Sequence, residues 1–157
     1  MPTSAMPNRA PKAAEPRLRL SVQRGDRVAE LPLARTRLRR LVSAVIEADA
    51  ELTLRFVGRL EGRILNTAYR ERDYATNVLT FVYEPGVADI VLCLPVIRQE
   101  ARQQHKPFEH HLAHLTIHGV LHAQGYDHEE ALEAARMEAR EIELLRRFRI
   151  PDPYREI

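Results

Sequence analysis

Only one cysteine, Cys93, occurs in the 157 residues, so no internal disulfide can staple the chain and core burial has to hold it. Cys93 sits inside the apolar run Ile90–Leu94 and reads as packing. No apolar run approaches the ~18 residues that a membrane-spanning helix needs, which excludes an integral membrane helix. A secretion signal is also missing, and with the lone thiol this points to a reducing, cytoplasmic setting. Residues 1–16 offer almost nothing apolar to bury and contain four prolines. A disordered tail is expected there. The same prolines forbid the amphipathic helix of a mitochondrial targeting peptide. Repeats are absent too, and the length suits one domain, expected over residues 17–157.

What is present is ordinary in bulk and uneven in detail. Hydrophobic residues make up 45% and charged residues 29% of the chain, the balance of a globular protein. Residues 1–72 carry 15 basic and 8 acidic side chains, and residues 73–157 carry 9 and 14. Of the 24 basic residues, 22 are arginine, whose planar fork suits phosphate. A basic half of this kind is compatible with a nucleic-acid partner.

Patterning predicts alternating helices and strands. Leu18, Leu20 and Val22 alternate with polar residues as a half-buried strand, and Leu52, Leu54 and Phe56 do the same. Residues 34–49 form an amphipathic helix with an arginine-rich outer face. Leu60, Ile64, Leu65 and Ala68 line a second helix that ends near Arg70. The runs Asn77–Tyr83 and Ile90–Leu94 are apolar on both faces, which predicts two strands in the middle of the sheet, joined by a Glu84-Pro85-Gly86 turn. Pro95 opens a helix that Lys106-Pro107 breaks. A helix from about Phe108 to Gln124 has no polar face and should be buried. A last helix, about Glu129–Phe148, places Leu132, Ala135, Ala139, Ile142 and Leu145 inward.

The chemistry concentrates in that buried helix and in the turn beyond it. All seven histidines lie between positions 105 and 128. His118 and His122 are four residues apart, about 40° around a helix axis, so both rings leave one face. Gly125 suits the position just past a helix end, and the turn it permits can swing His128 to the same point. Three imidazoles converging without a fourth protein ligand describe a metal site with an open position. Surface or core histidines are the plain alternative, and three at this spacing weigh against it. The spacing is that of metzincin peptidases, but the general-base Glu after the first His is replaced by Gly119. The site therefore predicts hydrolysis without peptidase proton handling.

Neighbouring residues carry two readings each. His110 and His114 are expected to pack beside the site. Asp127 could orient a ligand or carry a proton, or equally cap the next helix. Arg70 is the best-placed cation for a developing phosphate charge, against the alternative of a solvated surface residue.

The stretches Leu65–Phe81 (LNTAYRERDYATNVLTF), Ala88–Cys93 (ADIVLC) and His118–His128 (HGVLHAQGYDH), with a DPY ending, resemble the YbeY family of ribosomal-RNA maturation factors, described as single-strand-specific endoribonucleases. The likeness runs from about Glu51 to Tyr154. It implies an α+β fold with a small mixed four-stranded sheet, helices flanking a buried central metal-binding helix. It implies one zinc ion on His118, His122 and His128, and substrate contacts from Arg70 and Asn77, with Arg70 and Asp127 in catalytic roles. Expected partners are single-stranded RNA, a ribosomal RNA precursor, small-subunit ribosomal proteins and an assembly GTPase, with neither DNA nor membrane. A ribosome-assembly factor with a mainly structural metal, and a metallopeptidase, are the rival functions. Ala88 departs from the family, where Gly usually precedes the Asp.

Overall fold

A computed structural model describes residues 14–155. Four strands and five helices run in the order β1 (Leu18–Arg24), α1 (Arg35–Val45), β2 (Ala50–Val57), α2 (Arg59–Arg70), β3 (Val78–Glu84), β4 (Val87–Cys93), α3 (Leu94–Gln103), α4 (Phe108–Ala123) and α5 (Ala131–Arg147). The sheet order is β1-β2-β4-β3, with β1, β2 and β4 parallel and β3 antiparallel to β4. This is the mixed α+β architecture that the family resemblance implies. The tail reading of residues 1–16 falls almost wholly outside the described residues; Ala14, Glu15 and Pro16 are exposed and irregular. Among the described residues no helix is long and apolar enough to cross a membrane.

Strand alternation sorts side chains onto two faces. Leu52, Leu54, Phe56, Ala88, Ile90 and Leu92 join the main core, whereas Val57, Val91 and Cys93 join a smaller cluster beneath Leu65, Ala75 and Phe81. Cys93 is buried packing, as expected. Helix α4 lies in the main core and packs against β3, β4, α1, α3 and α5. Ten of its 16 residues are buried, which explains why its sequence shows no polar stripe. Each fully buried Leu or Ile there contributes about 1.5–3 kcal/mol of transfer free energy, so the core itself fixes where this helix stands.

Four expectations need correction. The run Asn77–Tyr83 is not central: β3 is an edge strand, and Val82 and Tyr83 are exposed. It reads as two-faced because α4 covers one side near Thr80 while Leu79 packs into the small cluster on the other. Helix α1 ends at Val45, four residues early. Ile46 turns extended, and the Glu47 and Ala48 amides are taken by Gln124 Oε1 at 2.9 and 3.2 Å. In α2, Leu60 and Ile64 face solvent and Gly62 and Asn66 face inward. Gly62 rests on Cys93, where an added Cβ would come within 3.2 Å of its Sγ, so the close approach decides the buried face. In α5, Met137, Glu141, Leu144 and Leu145 are buried and Leu132 is exposed.

Candidate metal centre

The last turn of α4 sets the geometry. Tyr126 N–H donates to Leu121 C=O and Gly125 N–H to His122 C=O, both at 3.0 Å, and Gly125 has φ +98°. This is the Schellman closure, which needs a left-handed residue just past the helix. It reverses the chain and returns His128 to the face that bears His118 and His122. Ligating nitrogens of the three rings lie within 4.8 Å of one another. His128 stacks on His118 at 5.5 Å between centroids and meets His122 at 4.9 Å.

The donor set fits a cation. His118 Nδ1 donates to Glu141 Oε1 at 2.6 Å, and His122 Nδ1 donates to the Tyr126 carbonyl at 3.0 Å. Each ring thereby carries its proton on Nδ1, which leaves both Nε2 atoms as lone pairs. Those two Nε2 atoms are 3.1 Å apart, an arrangement that repels unless a positive centre lies between them. Burial, then the neighbouring His118 and His128, push the His122 pKa down to about 4, so this ring is neutral and ready to ligate at pH 7.

The carboxylate behind His118 is absent from the sequence-based expectations. Glu141 is fully buried, and its Oε2 faces the Tyr154 hydroxyl and, at 3.5 Å, His114 Nε2. Burial by itself would raise its pKa, but the hydrogen bonds with His114, His118 and Tyr154 outweigh it and hold the group down to about 2. Asp127 does not orient a ring; its Oδ1 accepts from the His128 amide at 2.7 Å. Nor does it cap α5, whose N-cap position is Glu130. The signal for Glu141 is its place in an apolar stripe, Met137, Glu141, Leu144 and Leu145, at helical spacing. His114 does pack beside the site, edge-on to His118. His110 lies apart, in a hollow with Arg37 and Phe148.

A cleft of about 630 Å³ opens over the three histidines, and Arg70, Arg72, Asn77 and Asp127 line it too. Every residue expected to ligate, catalyse or bind substrate therefore borders one space. Asn77 is partly committed elsewhere: its amide donates to Glu100 at 3.0 Å and its Oδ1 accepts from Val78 N–H. Gly119 faces the sheet, where a side chain would meet Ile90, Thr80 and Val78.

An α+β fold with three imidazoles bordering an open cleft defines a class, the proteins whose three-histidine site can hold a metal ion with one position left open. Residues 26–149 match the family model described as Endoribonuclease YbeY. The chain belongs to the endoribonuclease YbeY family. It is 52% identical over 144 residues to the endoribonuclease YbeY of Thiobacillus denitrificans, covering 88% of this chain and 97% of that one. With that of Cupriavidus pinatubonensis it is 53% identical over 152 residues, 92% of this chain and 75% of the other. The solution structure of TM1509 from Thermotoga maritima superimposes with a TM-score of 0.57 at 25% identity, over 87% of this chain and 99% of that one.

Proposed function

We propose that this protein is a zinc-dependent, single-strand-specific endoribonuclease of the cytoplasm, acting in ribosomal RNA maturation at the 3′ end of the small-subunit RNA and in ribosome quality control. Small-subunit ribosomal proteins and an assembly GTPase are the partners this role implies. Residues 17–157 serve as one hydrolase domain. The observation that carries the reading is the convergence of His118, His122 and His128 at the floor of a cleft rimmed by Arg70 and Arg72.

His118, His122 and His128 would hold the ion, and zinc there would supply Lewis acidity and a lowered pKa for a nearby water. Three imidazoles favour zinc, copper or nickel over magnesium. Arg70 stabilises negative charge that develops on the scissile phosphate, and its fork matches two phosphate oxygens. Asp127, beside His128, accepts or returns a proton at the cleft mouth. Asn77 borders the path of the RNA strand. Gly119 supplies no base, which separates this site from that of a peptidase.

Metal analysis of the purified protein, with cleavage of single-stranded RNA before and after chelation, tests the reading. One bound zinc per chain and chelator-sensitive cleavage are expected. Metal-loaded protein that leaves RNA intact would favour the assembly-factor role. A substrate with a single deoxynucleotide at the cut site distinguishes the nucleophiles, because its cleavage excludes attack by the RNA's own 2′-hydroxyl.

A further inference from the structure

Beyond α5 the chain does not trail away. Lys106 Nζ donates to the Pro153 carbonyl at 3.1 Å, and Asp152 Oδ1 accepts from the Tyr154 amide at 2.8 Å. The Tyr154 ring stands edge-on to His114, 5.4 Å between centroids. These contacts deliver the Tyr154 hydroxyl to Glu141 Oε2, on the side of the carboxylate opposite His118. We propose that Tyr154 is a positioning residue of the metal centre: its hydroxyl holds the Glu141 carboxylate in the orientation that fixes the His118 ring, so the segment Pro151–Tyr154 sets how tightly the ion is held. The proposal rests on the reading of His118, His122 and His128 as ligands.

The physical argument concerns one torsion. The terminal bond of a glutamate turns over a broad, two-fold profile, so one hydrogen bond on one oxygen fixes the plane poorly. Glu141 is 0% exposed and has no solvent to satisfy its lone pairs, which must all find protein donors. His118 occupies Oε1 and Tyr154 occupies Oε2. Together they define the carboxylate plane. His114 Nε2 lies farther off, at 3.5 Å from Oε2 and 3.3 Å from the phenol oxygen, and cannot replace the hydroxyl without moving. A carboxylate held in plane keeps the His118 proton on Nδ1 and its Nε2 aimed at the ion, the support that outer partners give to ligating histidines.

Zinc dissociation constants, measured by competition with a chromophoric chelator, test this on wild type, Tyr154→Phe, Glu141→Gln and the double variant. Glu141→Gln should weaken zinc binding by about 10–100-fold. Tyr154→Phe keeps the ring against His114 and should weaken it by about 3–10-fold, the scale of one lost hydrogen bond. The double variant should bind no more weakly than Glu141→Gln alone, because the hydroxyl acts through that carboxylate. An unchanged constant for Tyr154→Phe overturns the proposal, as does a full additional loss on top of Glu141→Gln. Should Glu141→Gln not fold, Tyr154→Phe against wild type decides. Wild-type protein that takes up no zinc overturns the ligand reading itself, a separate and recognisable result.

Discussion

Gly119 presses its bare Cα against Ile90: a Cβ built there would stand 2.7 Å from Ile90 Cγ2, with Thr80 Oγ1 and Val78 Cγ2 at 3.4 Å. Ile90 is fully buried on a central strand, so its branch cannot swing aside. Gly119→Ala would recover about 1 kcal/mol of helix propensity but add strain of about 1–3 kcal/mol from overpacking. A net loss of about 1–2 kcal/mol is expected in urea unfolding. An alanine variant as stable as the parent would show that β4 can yield.

Arg70 is exposed at the end of α2, on the rim of the cleft. Arg70→Ala should fold normally and keep its zinc. Its cleavage rate should fall by about 10²–10³-fold, the usual loss for one charge-stabilising donor. Zinc content and single-turnover RNA cleavage, measured on the same sample, check this. A variant that cleaves at the parental rate would return Arg70 to the solvated surface.

His122→Ala removes one of the three proposed ligands, the ring fixed by the Tyr126 carbonyl. Zinc in 100-fold excess over its dissociation constant stabilises a binding protein by about 2.7 kcal/mol. Wild-type Tm should therefore rise on adding zinc and fall on chelation, and the Tm of His122→Ala should respond to neither. Scanning calorimetry at fixed pH reads both. Equal shifts in the two proteins would place the ion elsewhere.

His111 is buried against Glu100, with Nε2 3.0 Å from Oε1. Burial lowers its pKa below the usual 6.5, and Glu100 only partly offsets this. Above pH 6.5 the ring is neutral in both folded and unfolded chains, so its contribution to stability is fully present. As pH falls below 6.5, the unfolded chain binds a proton that the folded chain resists, and stability drops. Urea unfolding between pH 7 and pH 5 should show this loss, with a shallower slope for His111→Gln. Identical slopes would assign the acid sensitivity to other groups.

The order of elements and the convergence of His118, His122 and His128 are legible in the sequence because each is local. A helix without a polar face, succeeded by Gly125 and His128, specifies its own burial and its own turn. The features that stay hidden depend on partners distant in sequence. The edge position of β3 results from β4 pairing with β2, which no pattern within Asn77–Tyr83 encodes. Ala135 and Ala139 draw the expected inner face of α5 about two residues out of phase, and so leave Glu141 off it. Its burial comes from meeting His118, His114 and Tyr154 at once, a junction of three chain segments. Asp127 attracts the supporting role only by being adjacent in sequence.

His118 and His122 ride on a helix locked in the core, whereas His128 is exposed and lies past the Gly125 turn, outside any helix. Of the three rings, the last is thus the one that a change outside the core can displace. Inserting one residue between Asp127 and His128 should weaken zinc binding in a chelator competition while the α4 pair keeps its place.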